Sequence, residues 1–269
     1  MSGSDRETGQ MEEMQDPPEG EGRRMLLGDG TFRFACHPGV ACFTRCCHDA
    51  DMYLYPYDII RLKNNLGMTS EAFLMNHTTT ALRDMPYFPN VMLNMSDRPG
   101  KPCAFLSAAG CAVYEDRPYA CRAYPLEPAM SGEGEGPMRM DCFLVRHSHC
   151  RGHDEERSWT GRDWMADQQM EAYNDVNGRW ARIAGRFRSN PFGPAGVDSP
   201  AMKMAFMASY NMDTFRRFVF DSSFLSRYDV PPERLDAIRN SETELLLLGF
   251  DWIFRFLFGE GPLRARCDA

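Results

Sequence analysis

Nine cysteines crowd into one stretch of this chain: Cys36, Cys42, Cys46, Cys47, Cys103, Cys111, Cys121, Cys142 and Cys150. The first four follow the spacing Cys-x5-Cys-x3-Cys-Cys, which keeps four sulfurs near enough in chain to share one metal or cluster. Thiolates suit soft and borderline metals, and four of them complete either a tetrahedral zinc site or a cubane cluster, so the number present allows two such sites. The adjacent pair Cys46-Cys47 bears on this. In extended backbone neighbouring side chains point to opposite faces and serve two centres, whereas a turn aims both at one. Neither the paired Cys-x2-Cys knuckles of structural zinc nor the compact bacterial ferredoxin run is present, so spacing leaves iron–sulfur and zinc both open.

Two other readings of the cysteines compete. Buried free thiols need no metal, and an exported protein would pair them as disulfides. The N-terminus carries no apolar signal core, and no apolar run is long enough to suggest a membrane span. A cytoplasmic protein is therefore expected, in which clustered thiols bind metal or do redox chemistry. Cys267, beside Arg266, is an isolated candidate for a thiol sensor, weighed against a frayed tail thiol.

Histidines add weaker candidates. His48 follows the cysteine pair, and His147, His149 and His153 surround Cys150, which admits a mixed sulfur and nitrogen zinc site. Asp49, Asp51 and Asp58 offer acid or base groups, or simply caps and surface charges. The net charge is −8, and residues 1–24 hold seven acids against three arginines, which accounts for half of it. With no basic stripe, a nucleic-acid partner is not expected. The chain has no Gly-rich phosphate loop, dinucleotide fingerprint or Gly-x-Ser-x-Gly elbow.

The elements that must position these residues can be read in outline. Residues 1–30 lack aromatics and periodicity and read as a disordered acidic tail. A cysteine-rich metal-binding region is expected over 31–155 and a helical region over 156–269. The class is mainly α, with loops and a short β-hairpin around the cysteines. A helix is predicted from Pro56 to a stop at Gly67, and a shorter one from Ser70. Cys103-Ala-Phe-Leu and Cys111-Ala-Val-Tyr read as the hairpin strands, each opening on a cysteine. Residues 132–137 form a flexible connection before a strand over 138–145. One helix is expected from an N-cap at Thr160 through Trp180, others after Ser199-Pro200 and at Pro231-Pro232, and an apolar helix over 245–258 behind the box Ser241-Glu-Thr-Glu244. Core packing is the favoured role for that last helix, ahead of a partner-facing surface.

The string Cys111-x-x-Tyr-x-x-Arg-Pro-x-x-Cys121-Arg-x-Tyr-Pro, with Cys36, Cys42, Cys46-Cys47, Cys103-Ala-Phe-Leu and Cys150-Arg-Gly, resembles the YkgJ-type cysteine-cluster family over about residues 32–155. Members are described as zinc- or iron-chelating or as iron–sulfur proteins, and the pattern is related to that of flagellin lysine N-methylases. The resemblance implies Cys36, Cys42, Cys46, Cys47, Cys103, Cys111, Cys121 and Cys150 as ligands, with Cys142 as a ninth candidate. The first cysteines sit farther apart here than in the short family form, which leaves open whether Cys36 or Cys42 is a ligand.

Arg117 and Arg122, beside these cysteines, would offset the negative charge of a thiolate-bound cluster and donate to its sulfurs, or else pair with Glu115 or Asp116. The expected cofactor is one or two iron–sulfur clusters of the 4Fe–4S kind, with zinc as the alternative. The expected function is redox or Lewis-acid chemistry with an unidentified protein or redox partner. A zinc-stabilised interaction module and an S-adenosylmethionine-dependent protein lysine N-methylase are the alternatives.

Overall fold

A computed structural model of the chain describes residues 23–131 and 138–266. The expected connection at 132–137, most of the acidic tail and Cys267 lie outside the described residues. Residues 23–26, within the expected tail, form a strand: β1 (Arg23–Leu26) pairs antiparallel with β9 (Arg139–Arg146), which also pairs with β8 (Leu126–Ser131).

Local chemistry sets the helix starts. In α1 (Pro56–Asn65), proline occupies the first turn, where its missing N–H costs nothing. The Asp58 carboxylate accepts from the Tyr55 amide at 2.8 Å, which closes a capping box. Gly67, with φ of 64°, takes the left-handed conformation that ends the helix. Thr69 caps α2 (Ser70–His77) by accepting from Ala72 N at 3.2 Å. The strands flanking these helices in the chain form a three-stranded sheet in the order β3 (Tyr53–Leu54), β5 (Asn90–Leu93), β4 (Thr78–Ala81).

The hairpin is present but shifted. Its strands are β6 (Leu106–Ser107) and β7 (Gly110–Cys111), so Cys103 precedes the first strand and Cys111 ends the second instead of opening it. A short α3 (Tyr119–Ala123) then carries Cys121. Two short strands, β2 (Thr31–Arg33) and β10 (Ser158–Thr160), pair to close the cysteine-rich region.

The single helix expected after Thr160 is two. Gln169, with φ of 53°, breaks it into α4 (Gly161–Asp167), capped by Thr160, and α5 (Glu171–Phe187). Next come α6 (Pro200–Tyr210), α7 (Met212–Asp221), α8 (Phe224–Arg227), α9 (Pro232–Asn240) and α10 (Glu242–Ile253). Ser241 caps α10 by accepting from Glu244 N at 3.3 Å. Its residues Leu245, Leu246, Leu248 and Trp252 are buried, as core packing requires. The chain continues as a wider helical turn over Phe254–Phe258, with Phe256 partly exposed against Trp252.

Two apolar cores result, and each draws on residues from both sides of position 155. The larger joins Ile59, Leu62, Phe73 and Phe88 to Trp180, Phe187, Phe215 and Leu246. The smaller joins Phe32, Phe34, Leu126 and Leu144 to Trp159 and Trp164. Among the described residues no helix is long and apolar enough to cross a membrane.

Candidate metal centre

The cysteine loop between β2 and β3 is pinned at both ends by backbone hydrogen bonds. At its start, Ala35 N donates to Gly152 O at 3.0 Å and Phe34 N to Arg157 O at 2.9 Å, so Cys36 lies beside the Cys150 segment. At its end, Cys103 N donates to Cys47 O at 2.7 Å and Asp49 N to Lys101 O at 2.9 Å, so Cys47 lies beside the approach to the hairpin. Gly152 is decisive here. A Cβ there would stand 2.6 Å from Ala35 O and 2.6 Å from the Phe34 ring, so only glycine lets the two strands of chain approach this closely.

All nine described cysteines are free. Their mutual electrostatics divide eight of them into two groups. In the first, burial pushes the Cys36 thiol up to about 11, helped by Cys46, Cys42 and Cys150. Burial also raises Cys150, while the Tyr124 hydroxyl and the Gly152 amide act the other way and Cys42 adds to the rise. In the second, Cys47 is raised by its hydrogen bond to Cys46, by burial, and by Cys121 and Cys103. Burial, Cys103, Cys46 and Cys111 raise Cys121, and burial raises Cys103 beside Cys111. The groups are thus Cys36, Cys42, Cys46, Cys150 and Cys47, Cys103, Cys111, Cys121.

Cys46 and Cys47 join them. They sit on one 3₁₀ turn, Arg45–Cys47, which aims both sulfurs at one place, the junction where the two groups meet, and not at opposite faces. The hydrogen bond from the Cys47 thiol lowers Cys46 to about 7. Cys46 also acts on Cys36 in one group and Cys121 in the other. The groups rest on different cores: Cys150 packs on the smaller, and Cys103 and Cys111 pack on the larger.

Cys36 and Cys121 are exposed at the surface, yet the protein packed around them raises both thiols. Backbone amides already point at sulfur. Arg151 N donates to Cys42 Sγ at 3.0 Å, and the Gly152 and Phe105 amides stabilise the thiolate forms of Cys150 and Cys103. Crowded thiolates repel one another, and a thiophilic cation among them removes that repulsion, so the donor set fits a metal or cluster. Among the described residues no three His, Cys, Asp or Glu side chains close on one point tightly enough to hold a single ion. The groups are neighbourhoods of sulfur, not finished coordination shells.

The other candidates fall elsewhere. Cys142, in β9 opposite Pro128, is raised by burial and by Asp141, with no second cysteine acting on it. Asp49 pairs with Lys101 at 3.0 Å and Asp51 with Arg83 at 2.9 Å, both at the surface. Asp58 is fully buried, and besides capping α1 it accepts from Tyr119 N at 2.8 Å, which ties α1 to α3. Burial pushes its carboxyl up to about 7 against these hydrogen bonds and Arg122.

Arg117 donates to Tyr114 O at 2.6 Å and Gln168 Oε1 at 2.5 Å. Arg122 donates to Gln168 O at 2.6 Å and Glu115 O at 2.5 Å. Both guanidinium groups thus fasten the 114–117 turn to the end of α4, using carbonyls where an ion pair with Glu115 or Asp116 was the alternative. Asp116 pairs with Arg61 instead. Arg117 still feels the charge of Cys121. His48 Nδ1 meets Thr44 O at 3.2 Å, and His149 stacks on His147, which stacks on Tyr124.

Three neighbours of sulfur escaped the sequence reading: Gly152, Met52 with Sδ 3.8 Å from Cys121 Sγ, and Tyr124, whose buried hydroxyl lies against Cys150 without a well-aligned partner. The tyrosine had a signal in the Cys-Arg-x-Tyr-Pro string and the glycine in Cys150-Arg-Gly, whereas Met52 had none.

No curated protein and no solved structure matches this chain. Residues 35–151 match the CxxCxxCC family model, whose description is "putative zinc- or iron-chelating domain". That span begins just before Cys36 and ends just after Cys150, the outermost members of the first sulfur group. Over residues 35–151 the chain is thus similar to the CxxCxxCC family, the family that includes the YkgJ-type proteins.

Proposed function

We propose that this chain binds two iron–sulfur clusters, one held by Cys36, Cys42, Cys46 and Cys150 and the other by Cys47, Cys103, Cys111 and Cys121, and exchanges electrons with a partner. The observation that carries the reading is the division of eight thiols into two fours that meet at Cys46 and Cys47. A bound cluster supplies one-electron or Lewis-acid chemistry. The protein supplies orientation and charge. The amides of Arg151, Gly152 and Phe105 steady the thiolate forms of Cys42, Cys150 and Cys103. Arg117 adds positive charge near Cys121, and the two cores limit water at the sulfurs resting on them.

Zinc in the same two sulfur sets is the second reading, favoured by the short hairpin between Cys103 and Cys111, the kind of small loop that a structural ion fixes. Anaerobic purification separates the two. The expected protein is brown, with iron and sulfide in equal amounts, and Cys36→Ser or Cys121→Ser each removes about half of the iron. A colourless protein loaded with zinc refutes the iron reading, and full iron in both variants refutes the two-site assignment.

A further inference from the structure

A cleft of about 580 Å³ opens beside the first sulfur group, lined by Cys42, Phe43, Thr44, Arg45, His48 and His149 among others. Its composition runs against the chain's overall charge of −8, because the lining contains no Asp or Glu. Asp49, the nearest acid in sequence, is neutralised by Lys101. Arg45 is exposed and has no ion-pair or hydrogen-bond partner among the described residues, so its five donors remain available. Its charge is felt by His149, which places the two cleft residues within electrostatic reach of each other.

The walls are held in place. His48 is anchored through Nδ1 to the Thr44 carbonyl, and its Cδ2 edge lies beside Gly100, another lining residue, 3.6 Å from where a Cβ would stand. His149 is fixed by stacking on His147 at 5.3 Å, and His147 by stacking on Tyr124 at 5.9 Å. That column of rings ends against Cys150. Cys42 lines the cleft, and the rings from His149 through His147 and Tyr124 lead to Cys150, a second member of the same sulfur group.

We infer that this cleft is a binding site for a small organic oxyanion, a carboxylate or phosphate compound, which Arg45 engages beside the first sulfur group. A guanidinium fork matches either oxyanion in two parallel hydrogen bonds. A volume in the usual range for small-molecule sites has room for more than a bare inorganic ion, and Phe43 offers an apolar wall for the rest of the molecule. Its place beside the metal centre rests on the function proposed above, whereas the anion site itself does not.

The test uses the full chain, purified anaerobically with whatever metal it holds, titrated calorimetrically with inorganic phosphate and, separately, with malonate. Saturable binding of either is expected, and which of the two binds more tightly identifies the oxyanion. Arg45→Gln should weaken it about tenfold or more, the loss of a charge-assisted bidentate contact. Arg83→Gln, an exposed cation elsewhere, should leave it unchanged. Since Arg45 adjoins Cys46, metal content is measured in each variant, and if Arg45→Gln lowers it, His149→Gln decides by the same titration. Metal-loaded protein that binds neither anion overturns the inference and spares the metal reading. Equal weakening by Arg83→Gln also overturns it, by showing diffuse attraction. Protein that holds no metal yet binds malonate or phosphate through Arg45 overturns the metal reading and sustains the cleft.

Discussion

Replacing Gly152 by alanine should dismantle the first sulfur group without touching a cysteine. The added methyl would stand 2.6 Å from both the Ala35 carbonyl and the Phe34 ring, where ordinary contact needs about 3.4 Å, so the two segments must separate by about 0.8 Å. Overpacking of this kind costs about 1–3 kcal/mol. The separation also stretches the 3.0 Å bond from Ala35 N to Gly152 O, which adds about 1 kcal/mol. A total of about 2–4 kcal/mol lowers the melting temperature of a chain this size by roughly 4–16 °C. Cys36 follows Ala35 directly and Cys150 lies two residues before Gly152, so the same displacement moves two of the four sulfurs apart.

The assay is thermal unfolding by circular dichroism together with metal content per chain. Gly152→Ala should lower both. Gly185→Ala, on an exposed position of α5 with nothing within 4 Å of the new methyl, should raise stability by about 1 kcal/mol through helix propensity alone and leave metal unchanged. A Gly152→Ala protein that keeps its full metal and melts with the parent would refute the claim that this close approach assembles the group.

Three further outcomes are expected. Asp58→Asn leaves one carbonyl oxygen for two buried amides and should cost about 1–3 kcal/mol. Because burial raises the folded carboxyl to about 7 from its ordinary value, the folded state holds a proton that the unfolded state releases, so the contribution of Asp58 is greatest below pH 4 and is lost as pH rises towards 7. Melting curves of parent and variant should therefore converge with rising pH, and a gap that widens rejects the assignment. Arg122→Lys keeps the charge but not the fork that holds Gln168 O and Glu115 O, so it should lower the melting temperature; an unchanged value would show that charge alone matters. Cys142→Ser should keep the metal content of the parent, since no other cysteine acts on Cys142, and a loss of metal would place this residue in a centre.

Much of the local structure was legible because its causes are local. Pro56 with Gly67, Ser70, Thr160, Ser199 and Ser241 marked helix ends through backbone conformation and side-chain caps, and the ends fall where those residues stand. The break at Gln169 was not legible, because a glutamine carries no sign that its backbone will turn left-handed. The pairing of Arg23–Leu26 with β9 was hidden for a similar reason: a short edge strand gains its order from a partner more than 100 residues away.

For the site, residue types and spacing determined that thiols dominate and that sulfur-loving metals are the fitting occupants, since that choice depends on the donor atom. Which thiol neighbours which was decided by the tertiary structure alone. Cys150 reaches Cys36 because Gly152 admits Phe34 and Ala35, and Cys103 reaches Cys47 through the backbone hydrogen bonds that pair residues 47–49 with 101–103. Cys142 stays apart because a β-ladder holds it opposite Pro128. The arginines show the same divide: their chemistry suggested service to sulfur, while the carbonyls of Tyr114, Glu115 and Gln168, brought near by α4, claim their donors. Composition fixes what a side chain can bind, and only the path of the backbone between distant segments fixes what lies within its reach.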